Sequence, residues 1–232
     1  MSDKSMSDIV NSTADVKKST VAVIDYGMGN LHSVAKALEF VADENTSVIV
    51  TSDPAVIDAA DRVLLPGVGA IRDCIGEMHN AGLVPSIRKA MAEKPFLAIC
   101  VGIQSLMSHS EENGGVDCLN HFQGNALFFG EKHTDHDGSK LKVPHMGWNQ
   151  VKHTINHPLW ADIDDNARFY FVHSFYVVPE NKAEVAGTCD YGLEFCVALA
   201  RKNVFAVQFH PEKSHKDGLQ LYKNFLHWDG KP

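Results

Sequence analysis

Between residues 20 and 99, short β-branched runs alternate with segments whose apolar residues recur at helical spacing. TVAVID, TSVIVTS, RVLLPG and PFLAIC form the first set. Turn chemistry, YGMGN, follows the first run, and then Leu31, Val34, Ala35, Leu38, Val41 and Ala42 line one helix face. Further helical patterns cover 70–80 and 84–93, and the fourth run feeds a helix starting near Gly102. Strands that are apolar throughout must be covered on both faces. Alternation with helices supplies that cover through βαβ units. The expected fold is α/β, with a mostly parallel central sheet flanked by helices.

The second half reads differently. RFYFVHSFYVV, AEVAGTC, FCVALAR and NVFAVQF are strand-like with few helices between them, so an antiparallel extension is expected. A closing helix over 216–228 would turn Leu219, Tyr222, Phe225 and Leu226 inward. GGVDCLNHFQGN and HTDHDGSK read as loops. Residues 1–19 are polar and read as a disordered tail, leaving 20–232 as one domain.

Composition narrows the function. The formal net charge of -8, with no Lys/Arg-rich stretch, argues against nucleic acid or an anionic membrane as partner. No apolar run reaches the length of a membrane span, and the N-terminal stretch lacks an apolar leader core, which points to the cytoplasm. Five widely spaced cysteines without a CxxC pair suit free thiols in a reducing compartment. His153 and His157 in HTINH lack the glutamate of a zincin helix, so no metal is expected. GMGNLH and GVGAIR imitate a dinucleotide fingerprint, but His32 and Arg72 occupy the position of its third glycine. No nicotinamide or other cofactor is expected on that pattern.

One thiol stands out. In FLAICVGIQSL, Cys100 lies where a strand ends and a helix begins, with Ala98 two places before it and Gly102 two places after. Small residues at those offsets relieve the crowding of a sharp nucleophile turn. The helix start behind it offers a positive dipole end and free N–H groups able to hold an oxyanion. QFHPEKS then places His210 after an apolar run, with Glu212 two residues on. A cysteine, an imidazole to take its proton and a carboxylate to orient the imidazole form a complete nucleophilic set.

VIDYGMGNLHSV, LLPGVGAI, AICVGIQSLM, VPHMGWN and FYFVHSFY, closed by QFHPEKS, resemble the class I (triad) glutamine amidotransferases. Within that group DYGMGN and PHMGWN resemble the glutaminase subunits of imidazole glycerol phosphate synthase. The resemblance implies hydrolysis of L-glutamine to glutamate and ammonia with Cys100 as nucleophile, His210 as base and Glu212 as orienting group. It implies an oxyanion held by the backbone of Val68 and Val101, with Gly67 and Gly69 letting the PGVG backbone approach and rotate. Gln104, Ser174 and Phe175 would help hold glutamine. The ammonia would pass to a separate cyclase subunit, a (β/α)8 barrel, meeting this chain at Asn30, Trp148 and Lys213. That partner would form imidazole glycerol phosphate and aminoimidazole carboxamide ribotide in histidine biosynthesis. Three alternatives stay open on the sequence. They are the same chemistry serving a surface-sugar or pyridoxal phosphate partner, a non-catalytic regulatory subunit, and a peptidase or γ-glutamyl hydrolase.

Overall fold

The computed structural model describes residues 18–131 and 133–232. Residues 1–17 of the expected tail lie outside the described residues, and its boundary moves, because Ser19 already pairs with Thr46 in the first strand. The first half alternates as its periodicity requires: β1 Ser19–Ile24, α1 Leu31–Val41, β2 Thr46–Thr51, α2 Pro54–Ala59, β3 Arg62–Leu65, α3 Ile71–Asn80, α4 Val84–Glu93, β4 Phe96–Ile99 and α5 Val101–Ser105. The second half is strand-rich: β5 His109–Ser110, β6 Val116–Asp117, β7 Gly124–Phe128, β8 His145–Gln150, β9 Lys152–His153, β10 Arg168–His173, β11 Phe175–Pro179, β12 Val185–Asp190, β13 Glu194–Arg201 and β14 Val204–Val207, closed by α6 His215–His227.

The main sheet runs β2-β1-β3-β4-β14-β13-β11-β7-β5-β6, with β12 and β9 branching from β13. β2, β1, β3, β4 and β14 are mutually parallel, and β13, β11 and β7 continue antiparallel. This is the α/β sheet with an antiparallel extension that the patterning required. β4 and β14 are buried along their whole length, as strands covered on both faces must be. α1 supplies cover by burying Val34, Ala35 and Leu38, three residues of its apolar stripe.

Four readings of the sequence change. RFYFVHSFYVV is two strands: β10 pairs with β8 in a separate two-stranded sheet, β11 pairs with β7 and β13, and the break falls at Ser174. The GGVDCLNHFQGN loop contains β6 and the start of β7. α6 buries Leu221 beside Tyr222, Phe225 and Leu226, leaving Leu219 only half-buried. The short α2 was absent from the periodicity, although its start is well marked: Asp53 accepts from the Ala55 amide at 2.8 Å and Pro54 sits in the first turn. No helix among the described residues is long and apolar enough to cross a membrane.

This topology places the chemistry. β3, β4 and β14 are adjacent and parallel, so the segments leaving their carboxyl ends emerge side by side. Those segments are PGVG, the Cys100 turn and QFHPEKS.

Candidate active site

Cys100 hangs from the end of β4, its amide donating to the Val207 carbonyl of β14 at 2.8 Å. Its backbone, φ 57 and ψ −113, is one that side-chain-bearing residues rarely adopt. Such strain, at about 1–3 kcal/mol, persists only where the surroundings impose it. Here the close approach of two backbones imposes it: a Cβ on Gly102 would stand 2.6 Å from the Leu65 carbonyl. α5 is a single short turn, so the local N–H groups rather than a helix macrodipole act on the thiol.

His210 leaves β14 in a turn held by Ser214. The Ser214 hydroxyl donates to the His210 carbonyl at 2.6 Å, and the His210 amide donates to Tyr170 of β10 at 2.9 Å. The imidazole Nδ1 lies 2.8 Å from Glu212 Oε1, and both side chains are buried. Nε2 is buried without a hydrogen-bond partner. Burial opposes a charge on this ring, but the negative charges of Cys100 and Glu212 beside it prevail and raise its pKa to about 10. Tyr222 completes the setting, its hydroxyl donating to Glu212 Oε2 at 3.4 Å.

A cavity of about 440 Å³ opens on these groups. Cys100, Val101, Val68, Gly69 and His210 line it, as do Gln104, Ser174 and Phe175. Of the residues singled out for catalysis, oxyanion and substrate, all but Glu212 and Gly67 line this one cavity; those two border a small neighbouring one, Glu212 behind His210. Gln104 is buried, and its Nε2 donates both to the Phe175 carbonyl (3.2 Å) and to Gln208 Oε1 (3.1 Å). Both amide hydrogens are engaged, which leaves Oε1 as acceptor.

The PGVG segment shows an ordered pattern of carbonyls. Pro66 O accepts from the Tyr26 hydroxyl at 2.8 Å, Gly67 O from the Val101 amide at 3.3 Å, and Val68 O from the Cys74 thiol at 3.3 Å. Gly67 must be glycine, because a Cβ there would lie 2.7 Å from the Gly102 nitrogen; Gly69 holds φ +89.

Of the three interface candidates, Trp148 and Lys213 meet around Tyr170. Trp148 packs edge-on to its ring at 6.1 Å and Lys213 Nζ stands 5.8 Å from its centre. Asn30 instead borders a small cavity with Gly67, Val68, His210 and Glu212.

Sequence reasoning missed three groups here. Gln208, fully buried, directs Nε2 at Cys100 Sγ from 3.9 Å; it opens the QFHPEKS motif, which was the available signal. Glu112 lines the cavity while accepting from the Ile71 amide at 3.0 Å, and no local pattern marks it. His173 also lines the cavity, paired with His145 across 28 residues at 2.9 Å. All five cysteines are free thiols. Among the described residues one trio of metal-type donors comes together, Asp135, His136 and Asp190. It is exposed, and His136 already pairs with Asp190 at 2.9 Å.

The family model "Glutamine amidotransferase class-I" matches residues 22–228. The imidazole glycerol phosphate synthase subunit HisH of Pseudomonas putida is 59% identical over 212 residues, covering 91% of this chain and 99% of its own. The subunit of the same name from Acinetobacter baylyi is 55% identical over 210 residues, covering 90% and 98%. A crystal structure of a glutamine amidotransferase superposes over 89% of this chain and 96% of its own with a TM-score of 0.66 at 15% identity, a likeness of fold. With its motifs, its sheet and these relatives in agreement, the chain belongs to the class I glutamine amidotransferases and, within them, to the HisH subunits of imidazole glycerol phosphate synthase.

Proposed function

We propose that this chain hydrolyses the side-chain amide of glutamine and delivers the ammonia to the cyclase subunit of imidazole glycerol phosphate synthase, in histidine biosynthesis. The observation that carries the chemistry is the imidazole of His210, held through Nδ1 by buried Glu212, with Nε2 unpartnered on the cavity that holds Cys100. The Cys100 thiolate attacks the carboxamide carbon, forming a C–S bond and pushing the carbonyl electrons onto oxygen. Val101 N–H and Val68 N–H receive that oxyanion. As the tetrahedral species collapses, the C–N bond breaks and His210 Nε2–H gives its proton to the departing nitrogen, releasing ammonia. Water then attacks the thioester with His210 as base, and glutamate leaves as the thiolate reforms. Gln104 Oε1 accepts from the substrate ammonium, with the Ser174–Phe175 backbone alongside.

The choice among partners rests on the relatives, which carry the synthase subunit name at 55–59% identity across nearly their whole length. The names of these relatives speak for the synthase and not for a sugar, pyridoxal phosphate, regulatory or peptidase role. Ring closure, the lyase step, belongs to the partner and not to this chain. We assign that partner a (β/α)8 barrel seated over the cavity mouth, touching Trp148, Lys213 and Asn30, and place the pair in the cytoplasm. Cys100→Ser in the complex tests the reading. Glutamine-dependent synthesis should disappear while synthesis from added ammonium persists. Glutamine-dependent activity surviving within tenfold of the parent overturns the nucleophile assignment, and co-purification with a sugar-modifying enzyme instead of a cyclase overturns the partner.

A further inference from the structure

β8 alternates along its length: Met146 and Trp148 face outward, while His145 is buried and Asn149 half-buried. The inward residues continue into the site. His173, at the end of β10, lies with Nδ1 2.8 Å from the Phe175 carbonyl. A carbonyl only accepts, so Nδ1 carries the proton and, in the neutral ring, Nε2 is an acceptor. That nitrogen lies 2.9 Å from His145 Nδ1, which therefore donates. His145 Nε2 in turn accepts from Asn149 Nδ2 at 3.3 Å. Asn149 cannot be reversed, because Nδ2 also donates to the Asp190 carbonyl at 2.8 Å and Oδ1 accepts from the Gln150 amide. One set of tautomers satisfies every ring nitrogen, and a proton added to either ring at Nε2 would face the donor that this nitrogen accepts from, His145 Nδ1–H for His173 and the Asn149 amide for His145. The two rings are buried, His145 stacking on Tyr191 and Phe171, and His173 packing near Phe129.

We propose that His145 and His173 are positioning residues of the glutamine site: two neutral imidazoles that fix the Phe175 carbonyl and, through it, the Gln104 amide. The proposal rests on the glutaminase reading. The Phe175 carbonyl takes two donors, His173 from one side and Gln104 from the other. Gln104 Nε2 also donates to Gln208, and Gln208 donates toward the Cys100 sulfur. The network therefore runs from Asn149 to the thiol without a gap. Its consequence is directional. With His173 donating, Gln104 keeps its amide nitrogen inward and its oxygen available to a substrate ammonium. Without that donor the Phe175 peptide is free to turn and Gln104 loses its anchor. Burial, with the neighbouring His145 and His210 adding to it against the Phe175 hydrogen bond, holds the His173 pKa down to about 3. Burial, and then His133, hold His145 to about 4. Both rings are thus neutral at physiological pH.

The test compares near-isosteric variants in the complex with its synthase partner. His173→Asn can place an N–H where Nδ1 stood, whereas His173→Leu offers the same shape without a donor; His145→Asn and His145→Leu form the same contrast one step away. The Leu variants should raise KM for glutamine at least tenfold with kcat within threefold of the parent and ammonium-dependent synthesis unchanged. The Asn variants should stay within threefold in both constants. Leu variants with the parental KM, or Asn and Leu variants equally impaired, overturn the proposal. A parent complex that turns over glutamine while the Leu variants keep its KM sinks this proposal alone. A parent complex that turns over none sinks the functional reading and the proposal together. A ¹⁵N measurement of the histidine rings in the unaltered chain supplies an arm independent of variant folding. Both rings should carry their proton on Nδ1 down to pH 5, and an Nε2–H form in either ring refutes the arrangement.

Discussion

The Val101 amide donates to the Gly67 carbonyl at 3.3 Å, so the N–H following the nucleophile is occupied by the loop that should assist it. In a trans peptide the N–H points opposite to the C=O. With Gly67 O turned toward the elbow, Val68 N–H is turned from it. Both donors assigned to the oxyanion are thus withheld in this arrangement, while Cys100, His210 and Glu212 are in place. A half-turn of one peptide would free the first donor and present the second. The flanking carbonyls are held separately, by Tyr26 and by Cys74, which confines the rotation to the Gly67–Val68 unit.

That confinement is testable at its two anchors. Tyr26→Phe and Cys74→Ala each remove one donor and leave the cavity lining untouched. Each should lower the ratio of partner-stimulated to basal glutamine turnover at least threefold, because neighbouring peptides then share the movement. Measured ratios equal to that of the parent would show that the anchors do not shape the loop.

A second prediction concerns pH and stability. The His210 pKa moves from 6.5 to about 10 on folding, so between those values the folded chain binds more protons than the unfolded chain. The stabilisation is complete below about 6.5 and is lost as pH rises through 10. Comparing Tm for the parent and His210→Asn across pH 6 to 10.5 should show a difference that shrinks with rising pH. Cys100→Ser should flatten the parent's slope, since the Cys100 charge is the largest of the effects raising that pKa. A difference constant across the range counts against an imidazolium in the folded site.

Glu212→Gln keeps the shape and removes the charge beside His210 Nδ1. Loss of the orienting carboxylate should lower kcat by roughly a hundredfold or more while KM for glutamine stays within twofold, because Glu212 does not line the glutamine cavity. Steady-state kinetics on the complex decide it, and a variant with kcat within threefold of the parent removes Glu212 from the mechanism.

Local signals carried the parallel half of the fold. The runs that became β1, β3 and β4 are apolar because both faces are covered, and each ends in turn chemistry that composition displays. Cys100, His210 and Glu212 were legible for a related reason: an elbow and a turn impose short-range spacing. Ser174 entered only through the family resemblance, and the strand break at it was not legible, since serine fits an extended chain and the apolar pattern continues past it into β11. The Gln104–Phe175 and His145–His173 bonds join residues 71 and 28 apart, and no window along the chain brings them together. Gln208 sat within a recognised motif, but its aim at the sulfur depends on the β4–β14 register, Ile99 opposite Val207.

The last prediction addresses the Gly67–Val68 peptide itself. If this peptide turns to supply a donor, removing its hydrogen must abolish stimulated turnover while sparing everything that does not need the donor. Val68→Pro does this, because proline has no N–H. Gly67, lacking a Cβ, tolerates the restriction that proline places on the residue before it. The Gly67 carbonyl remains, so the resting contact with Val101 survives. The variant should fold with a Tm near the parent's, bind the cyclase and retain an alkylatable Cys100. Its partner-stimulated glutamine turnover should fall about a hundred- to thousandfold, the usual loss for one oxyanion donor. Ammonium-dependent synthesis should be unaffected, since that path bypasses the thioester. A well-folded variant whose stimulated turnover stays within tenfold of the parent would show that Val68 donates nothing, and the rotating-peptide mechanism would fail with it.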